Sequence, residues 1–146
     1  MKVESMDIFS GDFRRQSSQV QQTMNMNINL VGAKAEGDLL QVDFEYVVTY
    51  LPGNSFIRLI GKASLRGSES ETRKAVQEWM ASGRISGEGG ELIINAINYG
   101  ASINSVLISR AVNLVPPIVL PTLTIGDAGT PAESGKLKVP KPSKKK

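Results

Sequence analysis

The sequence predicts an α+β domain, a four-stranded antiparallel sheet with two helices packed on one side. Three observations carry this reading. Apolar residues recur at every second position in long stretches of the first half, short turns separate those stretches, and after Gly67 the repeat changes to that of a helix. Glu36, Gly37 and Asp38 mark one turn, and Pro52, Gly53 and Asn54 mark the next.

Residues 3–9 read as a short first strand, with Phe13 continuing its buried side, and residues 14–22 as a polar connection. From Met24 the alternation is sharp. Met24, Met26, Ile28 and Leu30 are separated by Asn25, Asn27 and Asn29, the pattern of a strand apolar on one face and amide-bearing on the other. In the third strand Leu40, Val42, Phe44, Tyr46, Val48 and Tyr50 share a face, while Gln41, Asp43, Glu45 and Thr49 share the other. Val47 and Leu51 interrupt that second face, so cover on both sides is expected around residues 46–51. Residues 55–66 form the fourth strand, with Ile57, Leu59, Ala63 and Leu65 opposed to Arg58, Lys62 and Ser64. Short turns between successive strands argue for a meander.

Ser68 followed by Glu71 is a capping-box signature opening a helix that carries Ala75, Val76, Trp79 and Met80 and closes at Gly83. Residues 86–90 read as a loose link. A longer helix follows over residues 91–114, with Leu92, Ile93, Ala96, Ile97, Gly100, Ile103, Leu107 and Ala111 at three- and four-residue intervals. Its Asn and Ser content is unfavourable, so packing must hold it, and Gly100 marks an expected bend or break. Trp79 and Tyr99 read as packing anchors. Pro116 and Pro117 stop the helix, and residues 118–125 are extended and apolar, suited to closing over the core or lining a groove. The domain is therefore expected to span residues 1–125, with a Pro/Lys-rich tail over residues 126–146.

The tail also explains the charge. The chain of 146 residues has a formal charge of +3 from 17 Lys and Arg against 14 Asp and Glu. Six of the cations are Lys136, Lys138, Lys141, Lys144, Lys145 and Lys146, which leaves residues 1–135 with 11 cations, 14 anions and a net −3. Contacts of such a tail with nucleic acid or an acidic surface would be salt-sensitive and without sequence readout, so no specific nucleic-acid partner is expected. The chain has no His and no Cys. No disulfide framework or thiolate chemistry follows, no cofactor or metal site is indicated, and Ser17, Ser18, Ser64, Ser68 and Ser109 have no imidazole to activate them. Nor is Ser64 specifically matched to Lys62 or Lys74. Asp43 and Glu45 share a strand face, which reads as a solvated face rather than an acid–base pair. The glycine-rich residues 83–90 lack the GK[ST] ending of a phosphate loop. There is no apolar signal core and no uninterrupted run of 18 apolar residues, so a cytoplasmic protein without membrane insertion is expected. The function class left is binding through apolar surface, to which Met24, Met26 and Met80 would lend adaptability.

The order of elements, together with the segment from Asn104 through Arg110, Pro116, Pro117 and Pro121 to Ile125, resembles the SecB export-chaperone family, whose helix runs into a proline-containing apolar closing strand. The weaker likeness is the extended pair linked through residues 35–38. The resemblance covers residues 3–125. It implies an ATP-independent, non-enzymatic holdase for unfolded or nascent polypeptides, assembled as a homotetramer of two dimers. Matching segments would place client-binding surface at Tyr46, Val48, Tyr50, Phe56, Ile57, Ile118, Leu120 and Leu123, with Asn25, Asn27, Gln41 or Arg58 at the rim. Ile97, Ile103 and Leu107 would supply an oligomer interface. The Cys/His zinc tail by which export members commonly dock to the translocation motor is replaced here by the Pro/Lys tail. A SecB-like chaperone with another target, including toxin–antitoxin control, therefore fits better than an orthodox export factor. The competing class is a non-enzymatic oligomeric scaffold or interaction module with a basic tail. Deletion of residues 127–146 is expected to abolish any polynucleotide retardation in a gel-shift titration, while suppression of client light scattering largely survives.

Overall fold

The computed structural model describes residues 1–117. They form β1 (Lys2–Arg14), β2 (Thr23–Glu36), β3 (Leu39–Leu51), β4 (Ser55–Arg66), α1 (Glu69–Ser82) and α2 (Gly87–Ala111). The sheet order is β1-β4-β3-β2 and every neighbouring pair is antiparallel. Both helices lie on one side, as the alternation followed by helical repeat predicts. The meander holds for β2, β3 and β4. The first strand instead lies beyond β4, so residues 15–22 cross the end of the sheet to reach β2. Gln16 N donates to Ser55 Oγ at 2.9 Å and Gln22 N to Leu51 O at 2.8 Å, pinning both ends of that crossing.

Strand β1 is nearly twice the length expected, because two register irregularities, at Val3/Ser5 and Ile8/Ser10, break its alternation. Each adds one residue, so Val3, Met6, Ile8 and Phe13 stay opposite helix-side residues of β4 without being evenly spaced in sequence. Strand β3 keeps strict alternation throughout. Leu40, Val42, Phe44, Tyr46, Val48 and Tyr50 have no exposed surface, while Val47, Thr49 and Leu51 on its other face are half-buried. The buried face of β3 meets Ile57, Leu59, Ala63 and Leu65 of β4 and Ile93, Ile97 and Ala101 of α2 in one core. Each large side chain so enclosed contributes about 1.5–3 kcal/mol relative to exposure. On the opposite face β3 and β4 exchange charge: Asp43 meets Lys62 at 3.7 Å and Glu45 meets Arg58 at 2.5 Å. Asp43 and Glu45 are thus counterions across a ladder.

The capping box forms as its signature requires. Ser68 Oγ accepts from Glu71 N at 3.4 Å and Glu71 Oε2 accepts from Ser68 N at 2.7 Å. Gly83, at φ 67°, donates to Trp79 O and ends α1. Residues 87–90 are not a loose link but the first turn of α2. Glu78 Oε2 of α1 accepts from both Ser86 N (3.0 Å) and Ser86 Oγ (2.9 Å) and fixes the turn that the glycines alone would not. Nor does α2 break at Gly100. A Cβ there would fall 2.2 Å from Met6 Cε, so the glycine admits a β1 side chain against a continuous helix. The helix ends at Ala111, three residues early, where Leu114 N folds back on Ser109 O at 2.8 Å. Among the described residues α2 alone is long and apolar enough, by length and composition, to cross a membrane. Its Ile93, Ile97, Ala101, Ser102, Ser105 and Ser109 are buried on the sheet.

Gly61 of β4 sits between its two neighbouring strands, with a virtual Cβ 2.4 Å from Asp7 O of β1 and 2.6 Å from Phe44 Cζ of β3. Replacing it by alanine pushes a backbone carbonyl and a core ring at once. Gly61→Ala is expected to lower stability by about 1–3 kcal/mol, read as a lower urea midpoint at unchanged slope.

Candidate functional site

The helices do not cover the sheet evenly. The long α2 lies chiefly over β1 and β4, whereas α1 packs on β2, where Thr72 Oγ1 donates to Gly37 O at 2.7 Å. The first half of β2 is left beside a gap. Met24, Met26, Ile28 and Leu30 point to the helix side and are only partly buried. With Ile94 and Asn98 of α2 they wall an open cavity of about 620 Å³ that spans Met24 to Ile28. A second cavity, of about 430 Å³, shares Asn27, Ile28 and Ile94 and continues past Leu30 to Gly83, Arg84 and Ile85 in the turn between the helices. The two form one groove along six residue steps of β2, roughly 20 Å at a strand's rise.

The strand beside this groove is an edge. β2 pairs with β3 on one side, and among the described residues no strand pairs with its outer side. Its ladder is regular from Thr23 to Leu30, the irregularity falling only between Leu30 and Gly32. Unpaired N–H and C=O groups therefore flank a row of flexible apolar side chains. An extended polypeptide needs both: backbone partners that ignore sequence and apolar pockets that adapt. Arg84 is the one ionisable side chain lining the two cavities.

Beneath the groove runs a buried polar seam. Tyr46 Oη is 3.1 Å from Ser102 Oγ and 3.3 Å from Met26 Sδ, and Ser102 Oγ donates to Asn98 Oδ1 at 3.3 Å. Asn98 thus joins the groove wall to the core. Burial raises the Tyr46 phenol above its ordinary pKa, against the opposing effect of its serine neighbours. Tyr50 is pushed up to about 12, first by burial and then by the nearby Tyr46. Its hydroxyl donates to Val115 O at 2.7 Å and holds the segment leaving α2.

The predicted site residues separate by face and by depth. Tyr46, Val48, Tyr50 and Ile57 are 0% exposed and build the floor under α2, so they offer no surface in this arrangement. Phe56 is half-buried on the opposite face of the sheet, as the alternation next to Ile57 demands. Gln41 and Arg58 share that opposite face, away from the groove, while Asn25 and Asn27 reach its margin. Ile97 faces the core, whereas Ile103 and Leu107 are 44% and 67% exposed and align with Tyr99, 64% exposed, one and two turns along α2. Ile118, Leu120 and Leu123 lie outside the described residues. The groove-lining Met24, Met26, Ile28 and Leu30 carried a signal in their alternation with asparagine. Their strand's place at an edge did not, because it depends on where β1 lands.

Among the described residues no group of three or more His, Cys, Asp or Glu is placed to hold a metal ion. A one-sided layer of two helices over an antiparallel β1-β4-β3-β2 sheet matches the SecB-like α+β fold. The particular likeness is to the SecB-like chaperone Rv1957 of Mycobacterium tuberculosis, whose structure contains a ChAD peptide from the Rv1956 HigA1 antitoxin. The two superpose with a TM-score of 0.58 over 84% of this chain and 89% of that one, at 10% sequence identity. No protein-family model and no curated protein sequence matches the chain.

Because the folded state holds the Tyr50 proton above the ordinary tyrosine value of about 10, it is favoured below that pH and loses this advantage as pH rises from about 10 to about 12. Tyr50→Phe is expected to flatten the fall of thermal stability over that window. At neutral pH it should cost about 1–3 kcal/mol by leaving Val115 O without its donor, checked by urea unfolding at pH 7 and 11.

Proposed function

We propose that this protein is an ATP-independent holdase that binds unfolded or nascent polypeptide in extended form. The observation that carries the reading is the groove lined by Met24, Met26, Ile28 and Leu30 beside the regular first half of β2, whose outer side pairs with no strand among the described residues. A client strand would satisfy the β2 edge with its backbone and place alternate side chains against Met24, Met26, Ile28 and Leu30. No sequence is demanded of it, since methionines repack and backbone hydrogen bonds are common to every chain. Tyr46, Val48, Tyr50 and Ile57 act from below, as the core on which the α2 wall of the groove rests, and Phe56 offers a separate apolar spot on the far face.

The likeness to a peptide-holding SecB-like chaperone supports this mechanism and favours toxin–antitoxin control over orthodox export. A homotetramer built as a dimer of dimers, in the cytoplasm, suits the same reading. Tyr99, Ile103 and Leu107 form an exposed apolar stripe on α2 that a second copy would cover, with Ile97 supporting it from the core side. That stripe also favours a second reading, a non-enzymatic scaffold that uses apolar surface for assembly alone.

The two readings separate on which substitution removes which property. Ile28→Asp is expected to weaken capture of a urea-unfolded client about tenfold, equivalent to about 1.4 kcal/mol, with the oligomeric mass unchanged in light scattering. Leu107→Asp should lower that mass. If neither the parent chain nor any variant slows aggregation of several unrelated clients at stoichiometric concentration, the holdase reading fails and the scaffold reading stands.

A further inference from the structure

The groove is open at the described boundary, and the path of the chain toward that boundary has a direction. Arg15, just past the end of β1, donates from Nη1 to Asn113 O at 3.1 Å. Two residues later Val115 O accepts from Tyr50 on β3. Pro117, the last described residue, is buried. The segment thus passes from the exit of β1 to β3 across the end of the sheet, one strand short of β2. The β2 residue opposite Tyr50 is Met24, the first side chain of the groove.

The sequence that follows matches the groove in length, polarity and charge. Residues 118–125 are Ile-Val-Leu-Pro-Thr-Leu-Thr-Ile, and no charged residue occurs between Arg110 and Asp127. The groove carries Met24, Met26, Ile28, Leu30 and Ile94 along its length, with asparagines between them and no anion, and ends at a single cation, Arg84, whose guanidinium has no carboxylate partner among the described residues. Ten extended residues from Pro117 to Asp127 span roughly 33 Å. That covers the approach from Tyr50, the six steps beside β2 and the reach past Leu30 to Arg84.

We propose that residues 118–127 occupy the β2 groove of their own chain as a resident pseudo-client, running parallel to β2 with the Asp127 carboxylate against Arg84, and that external clients bind by displacing them. The proposal rests on the β2 groove being the client site. Tethering presents the segment at an effective concentration on the order of millimolar. Even a weak intrinsic affinity then occupies the groove most of the time and raises the apparent client dissociation constant by that occupancy. The assignment gives Ile118, Leu120 and Leu123 a role within the groove, as occupants that compete with a client rather than walls that hold it.

The test is fluorescence anisotropy of a fluorescein-labelled, urea-unfolded client titrated with the full-length chain. Leu120→Asp with Leu123→Asp, which leaves the sequence of residues 1–117 unaltered, is expected to tighten client binding about five- to tenfold. Arg84→Glu should tighten it severalfold, and Arg84→Glu with Asp127→Arg should return it toward the parent value. Adding Ile28→Asp to the Leu120→Asp, Leu123→Asp chain should remove the gain. Unchanged client affinity in that double variant, with Ile28→Asp still weakening binding, overturns the resident segment and leaves the client groove standing. Weaker binding in the double variant overturns it too, by making the segment a wall of the client site. Insensitivity of every chain to Ile28→Asp instead sinks the groove as client site. A gain that varies with protein concentration assigns the segment to a second copy and overturns the arrangement within one chain.

Discussion

Everything in this fold depends on the contact between the buried face of β3 and the underside of α2. Six large side chains, from Leu40 to Tyr50, stand in a row on the strand, and the helix answers them with Ile93 and Ile97 and then with Ala101, Ser102, Ser105 and Ser109. Bulk lies on the sheet side and smallness on the helix side. A helix lined with short residues approaches closely, and interior packing tolerates few voids, so its position over the sheet is strongly set. That position lies nearer β1 and β4 than β2. The groove is what a two-helix layer leaves uncovered on a four-stranded sheet.

The same contact accounts for the polar seam. A run of serines with Asn98 against tyrosines would be costly if unpaired, and the Tyr46–Ser102–Asn98 chain meets most of that cost. Ser105 Oγ is buried close enough to Tyr46 to oppose the rise of its pKa, but among the described residues it makes no hydrogen bond of regular geometry, so the seam is only partly satisfied. A purely apolar interface could slide by a turn with little loss, whereas these hydroxyls define one register. The groove wall formed by Ile94 and Asn98 is therefore held as firmly as the core below it.

Much of the fold was legible because its signals are local. Alternation in residues 24–30 and 39–51, the turn residues and the Ser68–Glu71 cap each specify structure over a few positions. What escaped was set by partners distant in sequence. The two extra residues in β1 destroyed its period, and the start of α2 relied on Glu78 reaching Ser86 across a helical turn poor in intrinsic propensity. The candidate site suffered similarly. Tyr46, Val48, Tyr50 and Ile57 are apolar in a sheet, and only the tertiary placement of α2 decides that they are floor. The methionine–asparagine alternation marked β2 as half-buried, but the free edge that gives it chemistry emerges from the crossing of residues 15–22.

The two margins of the sheet are not alike. One is the regular first half of β2, and the other is β1, kinked twice along its length. Head-to-tail stacking of copies would have to join those unlike margins, and such a join repeats without end, as in a fibre. The kinks deny it a common register. Contact between like margins obeys a twofold axis and stops at two. An irregularity that cost the first strand its legibility thus also works against runaway polymerisation through the β2 margin.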